Sequence, residues 1–143
     1  MSNNPWIIKK LVLPQHTDHA GVMWHGSYLN WLEEARVDAL EKVGLSYSTL
    51  SNEGFELPVV ELNIKYKKSL NHGDQVLLKS WQLNREGIRI LWKTIFIKSD
   101  GTSSAESIVS LVLIERINFN FRIVRQVPLK ISESIAALQR GPI

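Results

Sequence analysis

Cysteine is absent from the 143 residues. Disulfides, thiolate metal sites and cysteine nucleophiles are thereby excluded, and a reducing cytoplasm is the expected location. Long apolar runs are absent too: nothing approaches the roughly 18–20 consecutive apolar residues of a membrane helix. The first five residues, Met1 to Pro5, lack the charged and apolar regions of a signal peptide, so no membrane partner is expected. Charge of one sign is in short supply, with 17 Lys and Arg against 14 Asp and Glu for a net +3. The excess gathers late: from Arg116 onward stand five basic residues and one acid, Glu133. That reads as a solvated face, and no nucleic-acid motif accompanies it. What is present is ordinary globular material, 44% apolar and 22% charged, which excludes disorder over most of the length. Repeats and linkers are missing, so one domain is expected over 1–143, its core about 6–139.

Periodicity supplies the elements. Trp6 to Leu13 is an apolar, β-branched run interrupted by Lys9 and Lys10 and stopped by Pro14, which predicts a strand. Residues 14–27 carry Gly, Pro, His and Ser and predict an ordered loop. Tyr28, Trp31, Leu32, Ala35, Ala39 and Val43 then share a stripe of period 3.6, predicting a helix over 28–43 with Ser27 as N-cap and Gly44 as its stop. Over 59–68, Val60, Leu62, Ile64 and Tyr66 alternate with polar residues and predict a half-buried strand. Further strands are predicted at 75–84, 88–98 and 104–116, with turn chemistry at Gly73, Gly87 and Asp100-Gly101. A short strand within 117–127 and a helix over about 131–139, opened near Ser132, complete the chain. One helix needing an apolar cover and one mainly antiparallel sheet make an α+β fold. Both faces of the 88–98 and 104–116 strands carry apolar residues, which predicts a partner subunit on one of them.

Chemistry concentrates in residues 16–36, HTDHAGVMWHGSYLNWLEEAR. Titratable side chains crowd the loop before a helix start, where free backbone N–H groups and partial positive charge can stabilise an oxyanion. Asp18 is close enough in sequence to serve that site as nucleophile or general base, although an aspartate also caps turns. His25 either shapes the helix entry or orients a carbonyl group. Tyr28 reads as a pocket wall or a core contact. Glu33 and Glu34 fall off the buried stripe and read as surface charges, with Glu34 or Arg36 pairing nearby. His16, Asp18, His19 and His25 together match no metal motif, and only His72 remains as a remote ligand, so no metal is expected. Trp24 is a pocket candidate, whereas Trp81 and Trp92 read as core.

The same segment resembles the active-site signature of the hotdog-fold thioesterases, in the 4-hydroxybenzoyl-CoA thioesterase branch. Asp18, Gly21, Val22, Trp24, His25, Tyr28, Trp31 and the Glu33-Glu34-Ala35-Arg36 run stand at its positions, and the order of elements agrees over about 6–139. The resemblance implies a hotdog fold: one long central helix wrapped by a curved, mainly antiparallel sheet. It implies hydrolysis of an acyl-CoA thioester, with Asp18 as the catalytic carboxylate. The carbonyl-binding groups would lie around His25, Gly26, Ser27 and Tyr28, with Trp24 beside them. It also implies a homodimer or tetramer with the site at the subunit interface, and no cofactor, CoA entering as part of the substrate. The chain departs from the pattern at His16, where many relatives have an acid.

The expected acyl group is aromatic, 1,4-dihydroxy-2-naphthoyl of quinone biosynthesis or 4-hydroxybenzoyl. Aliphatic acyl-CoA and acyl carrier protein thioesters are the rival substrates, and a non-catalytic hotdog ligand-binding module is the rival class. Lys65, Lys67, Lys68, Arg85, Arg89, Arg122 and Arg125 are candidate contacts for CoA phosphates.

Overall fold

The computed structural model describes residues 4–142; residues 1–3 and 143, the ends of the expected domain and part of the leader reading, lie outside the described residues. The chain runs β1 (Trp6–Leu11), α1 (His25–Lys42), α2 (Tyr47–Asn52), β2 (Phe55–Glu56), β3 (Val59–Tyr66), β4 (Gln75–Gln82), β5 (Arg89–Lys98), β6 (Ser103–Val112), β7 (Ile114–Ile117), β8 (Asn120–Ile123) and α3 (Leu129–Arg140). Five strands form one sheet in the order β1-β4-β5-β6-β3, and β2-β7-β8 form a second. Every pairing between strands is antiparallel.

Alternation builds the sheet. On β5, Ile90, Trp92, Thr94 and Phe96 are buried while the residues between them are half-buried. Their cross-strand partners Leu111, Val109, Ser107 and Ala105 are buried as well. This face receives α1, whose buried side chains include Tyr28, Trp31, Leu32, Ala35 and Ala39, the stripe expected from its period. Full burial of a side chain such as Trp31 or Leu32 contributes about 1.5–3 kcal/mol before conformational entropy. The helix stops at a Schellman motif: Gly44 N–H bonds to Glu41 O at 3.1 Å and Leu45 N–H to Leu40 O at 2.9 Å. Gly44 adopts φ +77° there, a conformation glycine takes without a Cβ penalty.

Five expectations need correction. The long helix begins at His25, three residues early, with Trp24 as N-cap and no side-chain cap. Ser27 lies inside it, and its hydroxyl donates instead to His16 O at 3.0 Å. The strand predicted over 104–116 breaks after Val112, and β7 crosses to the second sheet, so two sheets replace one. Helix α2 falls where none was read. Helix α3 follows Pro128 as expected but starts at Leu129, with Pro128 rather than Ser132 at its cap and again no side-chain cap bond.

The fifth correction concerns β3. Its alternation predicts a buried face, yet Val60, Leu62 and Tyr66 are 49%, 41% and 54% exposed. Among the described residues β3 is the last strand of its sheet and pairs only with β6. Ile64 is half-buried and packs against the core, and Tyr66 meets Tyr28 of the helix, but the helix leaves most of the strand's apolar surface uncovered. An edge with apolar side chains and unpaired backbone groups is a template for another strand.

Candidate active site

The loop between β1 and α1 is tied to the helix start by one carbonyl. His16 O accepts from Trp24 N–H at 3.2 Å and from the Ser27 hydroxyl at 3.0 Å. The His16 ring is held in turn: Nδ1 accepts from Leu13 N–H at 3.0 Å, and the ring stands edge-on to Trp31 at 5.2 Å. His16 therefore organises the loop. The next residues form a tight turn anchored by Met23 N–H to Leu70 O at 2.7 Å and His72 N–H to Gly21 O at 3.0 Å.

Asp18 shapes that turn. Its Oδ1 accepts from Ala20 N–H at 2.9 Å and Val22 N–H at 3.2 Å, so the carboxylate has a fixed orientation with Oδ2 left for another partner. Asp18 is exposed. It lines neither of the two depressions beside the helix start.

The first depression, about 310 Å³, is lined by Val22, Met23, His25, Tyr28, Tyr66, Lys67, Lys68 and Ser69. It joins the start of α1 to the end of β3. The N–H groups of His25 and Gly26 have no intrahelical acceptor, because the first turn of any helix leaves them free. Tyr28 is buried against Tyr66, with ring centres 5.0 Å apart, and against Phe96 at 5.1 Å. Burial, reinforced by the neighbouring Tyr66, raises the Tyr28 hydroxyl to about 12, so it keeps its proton and can donate. Lys67 pairs with Glu106 at 2.9 Å, which holds the Glu106 carboxyl below its ordinary range.

The second depression, about 370 Å³, holds Trp24 and Ser27 with His16, Asn30, Glu33 and Glu34. Trp24 stacks edge-on to His25 at 5.3 Å. A Cβ at Gly26 would overlap the six-membered ring of Trp24, so glycine there is what lets the indole lie across the helix start. Glu33 and Glu34 are exposed, and Glu34 pairs with Lys10 at 2.6 Å. Thus His25 and Tyr28 meet in one depression, Trp24 and Ser27 in the other, and Gly26 sits under Trp24.

Of the expected phosphate contacts, Lys67 and Lys68 reach the first depression. Arg89 pairs with Glu61 at 3.2 Å and Arg122 with Glu115 at 3.1 Å. Tyr66 joins the site although its alternation marked it for the core, and no local signal distinguishes the two fates. Among the described residues no group of three or more His, Asp or Glu side chains gathers as a metal site would require, and no helix is long and apolar enough to cross a membrane.

The fold and this helix start define a class. The model of the thioesterase-like superfamily matches residues 12–126, and the chain belongs to that family, whose fold is the hotdog. Among individual proteins, a Synechocystis sp. protein provisionally described as an esterase is 32% identical over 130 residues, covering 90% of this chain and 77% of its own length. A Bacillus subtilis protein provisionally described as an acyl-CoA thioesterase is 28% identical over 103 residues, with 72% and 75% covered. The crystal structure of a DHNA-CoA thioesterase from Staphylococcus aureus superposes with a TM-score of 0.81 at 28% identity, covering 93% of this chain and 89% of that one.

Proposed function

We propose that the chain hydrolyses the thioester of an aromatic acyl-CoA, 1,4-dihydroxy-2-naphthoyl-CoA or 4-hydroxybenzoyl-CoA, acting as a homodimer. The observation that carries this reading is the depression between the α1 start and the β3 end. It combines the helix start at His25, a hydroxyl that stays protonated, two aromatic rings and two lysines; Gly26, the next residue of that first turn, lies outside its lining. In this reading the N–H groups of His25 and Gly26 hold the carbonyl oxygen as it takes up negative charge. Asp18 supplies the carboxylate, either removing a proton from the attacking water or bonding to the carbonyl carbon itself. The C–S bond then breaks, and CoA leaves as a thiolate that is protonated; where Asp18 has bonded to the carbonyl carbon, water next cleaves the resulting acyl-aspartyl anhydride, releasing the acid and restoring the Asp18 carboxylate. Tyr28 and Tyr66 line the place of the acyl ring. Lys67 and Lys68 stand at the rim. The reaction needs neither metal nor redox cofactor.

The dimer reading rests on β3. Pairing two copies along this edge covers Val60, Leu62 and Tyr66. It also adds a wall to the depression, because Tyr66, Lys67 and Lys68 end the same strand. Asp18, which borders no depression in the single chain, supports a site completed by the partner.

The test is thiol release from benzoyl, 4-hydroxybenzoyl, 1,4-dihydroxy-2-naphthoyl, hexanoyl and palmitoyl esters of CoA. Fastest release from an aromatic ester is expected. Preference for hexanoyl or palmitoyl would overturn the acyl assignment, and folded protein releasing no thiol from any ester would overturn the activity.

A further inference from the structure

A third, larger depression lies at the same end of the sheet as the first but on the sheet's outer face. It measures about 710 Å³ and includes Lys9, Lys79 and Lys98 around Leu11, Leu77 and Ile97. These residues come from three adjacent strands: Lys9 pairs across with Leu77, and Leu77 with Ile97. Lys98 is tied down, its Nζ donating to Ser69 O at 3.2 Å and lying 3.9 Å from the Asp74 carboxylate. Lys9 and Lys79 have no ion-pair partner among the described residues. The two depressions share a wall, since Ser69 lines the one by the helix and Lys98 the other. The charge between them is mixed, because Asp100 lies in the turn beside Lys68 and Lys98.

We infer that this groove takes the nucleotide end of the CoA substrate. In this assignment Lys9 and Lys79 meet its phosphates and the Leu11, Leu77 and Ile97 floor lies under the adenine. The inference rests on the acyl-CoA reading above and makes these lysines specificity-determining. An anionic, partly apolar ligand suits unpaired lysines over an aliphatic floor. A second copy of this chain suits them less, because a two-fold contact centred here sets lysines against lysines. Lys68 and Lys98 then flank the path by which the pantetheine arm crosses the end of the sheet. A fourth lysine of the groove, Lys10, is held by Glu34. Lys9, Lys79 and Lys98 are separated by 70 and 19 positions, and the strand order β1-β4-β5 unites them.

The experiment compares one acyl group on three carriers, CoA, 3′-dephospho-CoA and pantetheine, for the native protein and for the double variant Lys9→Ala, Lys79→Ala. The variant is expected to raise KM for the CoA ester at least tenfold. Its kcat should be unchanged, and so should its KM for the pantetheine ester, which has no nucleotide to lose. In the native protein the dephospho ester should fall between the other two. An equal rise for both the CoA and pantetheine esters, or no rise for CoA, would overturn the groove assignment while leaving the thioesterase reading intact. Should no ester turn over, calorimetric titration with adenosine 3′,5′-bisphosphate, with inorganic phosphate as control, still decides the matter. Binding by native protein that the double variant loses supports the groove. Binding that survives in the variant, or that phosphate reproduces, overturns it.

Discussion

Asp18 shapes its turn and, in the proposed reaction, supplies the carboxylate; one pair of substitutions can separate the two. Asp18→Asn keeps the atom that accepts from Ala20 and Val22 N–H and removes the negative charge. Asp18→Ala removes both. A hydrogen bond of this kind contributes about 0.5–1.5 kcal/mol net, and loss of a comparable side-chain cap costs about 1 kcal/mol. Asp18→Ala should therefore lower stability by about 1–2 kcal/mol, and Asp18→Asn by less than about 0.5, since an exposed turn screens the charge. For 143 residues, about 1 kcal/mol corresponds to a Tm shift of about 3 °C, measured at one protein concentration. Removing a positioned general base lowers turnover about 10²–10⁴-fold, or about 2.7–5.5 kcal/mol of transition-state stabilisation. The reasoning thus predicts two variants equally inactive but unequal in Tm. Thiol release and thermal unfolding on the same samples check it. An Asp18→Asn protein that hydrolyses acyl-CoA within threefold of native would refute the catalytic reading and leave Asp18 a turn residue. In a single turnover in oxygen-18 water, label appearing in Asp18 would identify direct attack.

Three further outcomes follow from particular contacts. Gly26→Ala sets its methyl group against the Trp24 ring; that ring is 45% exposed and can swing aside, so the change should destabilise by about 0.5–1.5 kcal/mol, the cost of an off-rotamer side chain. In a Trp24→Ala background the same change should be neutral or stabilising, because alanine is the better helix former; urea unfolding of the four proteins measures the reversal, and equal costs in both backgrounds would sink the account. The Tyr28 hydroxyl, raised to about 12 by burial, is harder to ionise in the folded than in the unfolded chain. Its contribution is therefore fully present below about pH 10 and is lost as pH climbs from about 10 to 12, amounting to at most about 3 kcal/mol. Alkaline unfolding of Tyr28→Phe should lack that slope, and an unchanged profile would show that the hydroxyl is not held in this way. If two copies pair along β3 as proposed, native protein should sediment as a dimer and Leu62→Asp, at an exposed position of that strand, as a folded monomer; a variant that still sediments as a dimer would move the interface elsewhere, and a monomeric native protein would overturn the pairing.

Periodicity served best where burial alone decides. The stripe on α1 and the alternation on β5 are direct imprints of one face meeting a core. Legibility failed where the controlling contact is distant. Ser27 has the composition of an N-cap, but its hydroxyl answers to a carbonyl 11 residues away, and Trp24 occupies the cap with no side-chain bond to betray it. Helix α2 buries only Leu50, so no stripe marks it. A local trace existed nonetheless: the Ser46 hydroxyl accepts from Thr49 N–H at 3.1 Å, the spacing of a capped first turn. On β3 the alternation was read correctly as a period and wrongly as a location. The pattern states that a face is to be covered, not that the same chain covers it. The sequence offers Asp18, His25, Gly26 and Tyr28 for the proposed site because they fall within eleven positions of one another. Tyr66, Lys67 and Lys68 arrive from another strand, and nothing short of the topology brings them in.

The open edge of β3 has a thermodynamic consequence for the proposed reaction. The strand that offers the edge also ends in the wall of the depression. A ligand that touches both chains there is linked to their association, stabilising the pair by RT ln(1 + [L]/Kd). Substrate would then recruit its own enzyme. Specific activity would fall as the protein is diluted and recover when acyl-CoA is raised, so that scarcity of protein and scarcity of metabolite act on one equilibrium.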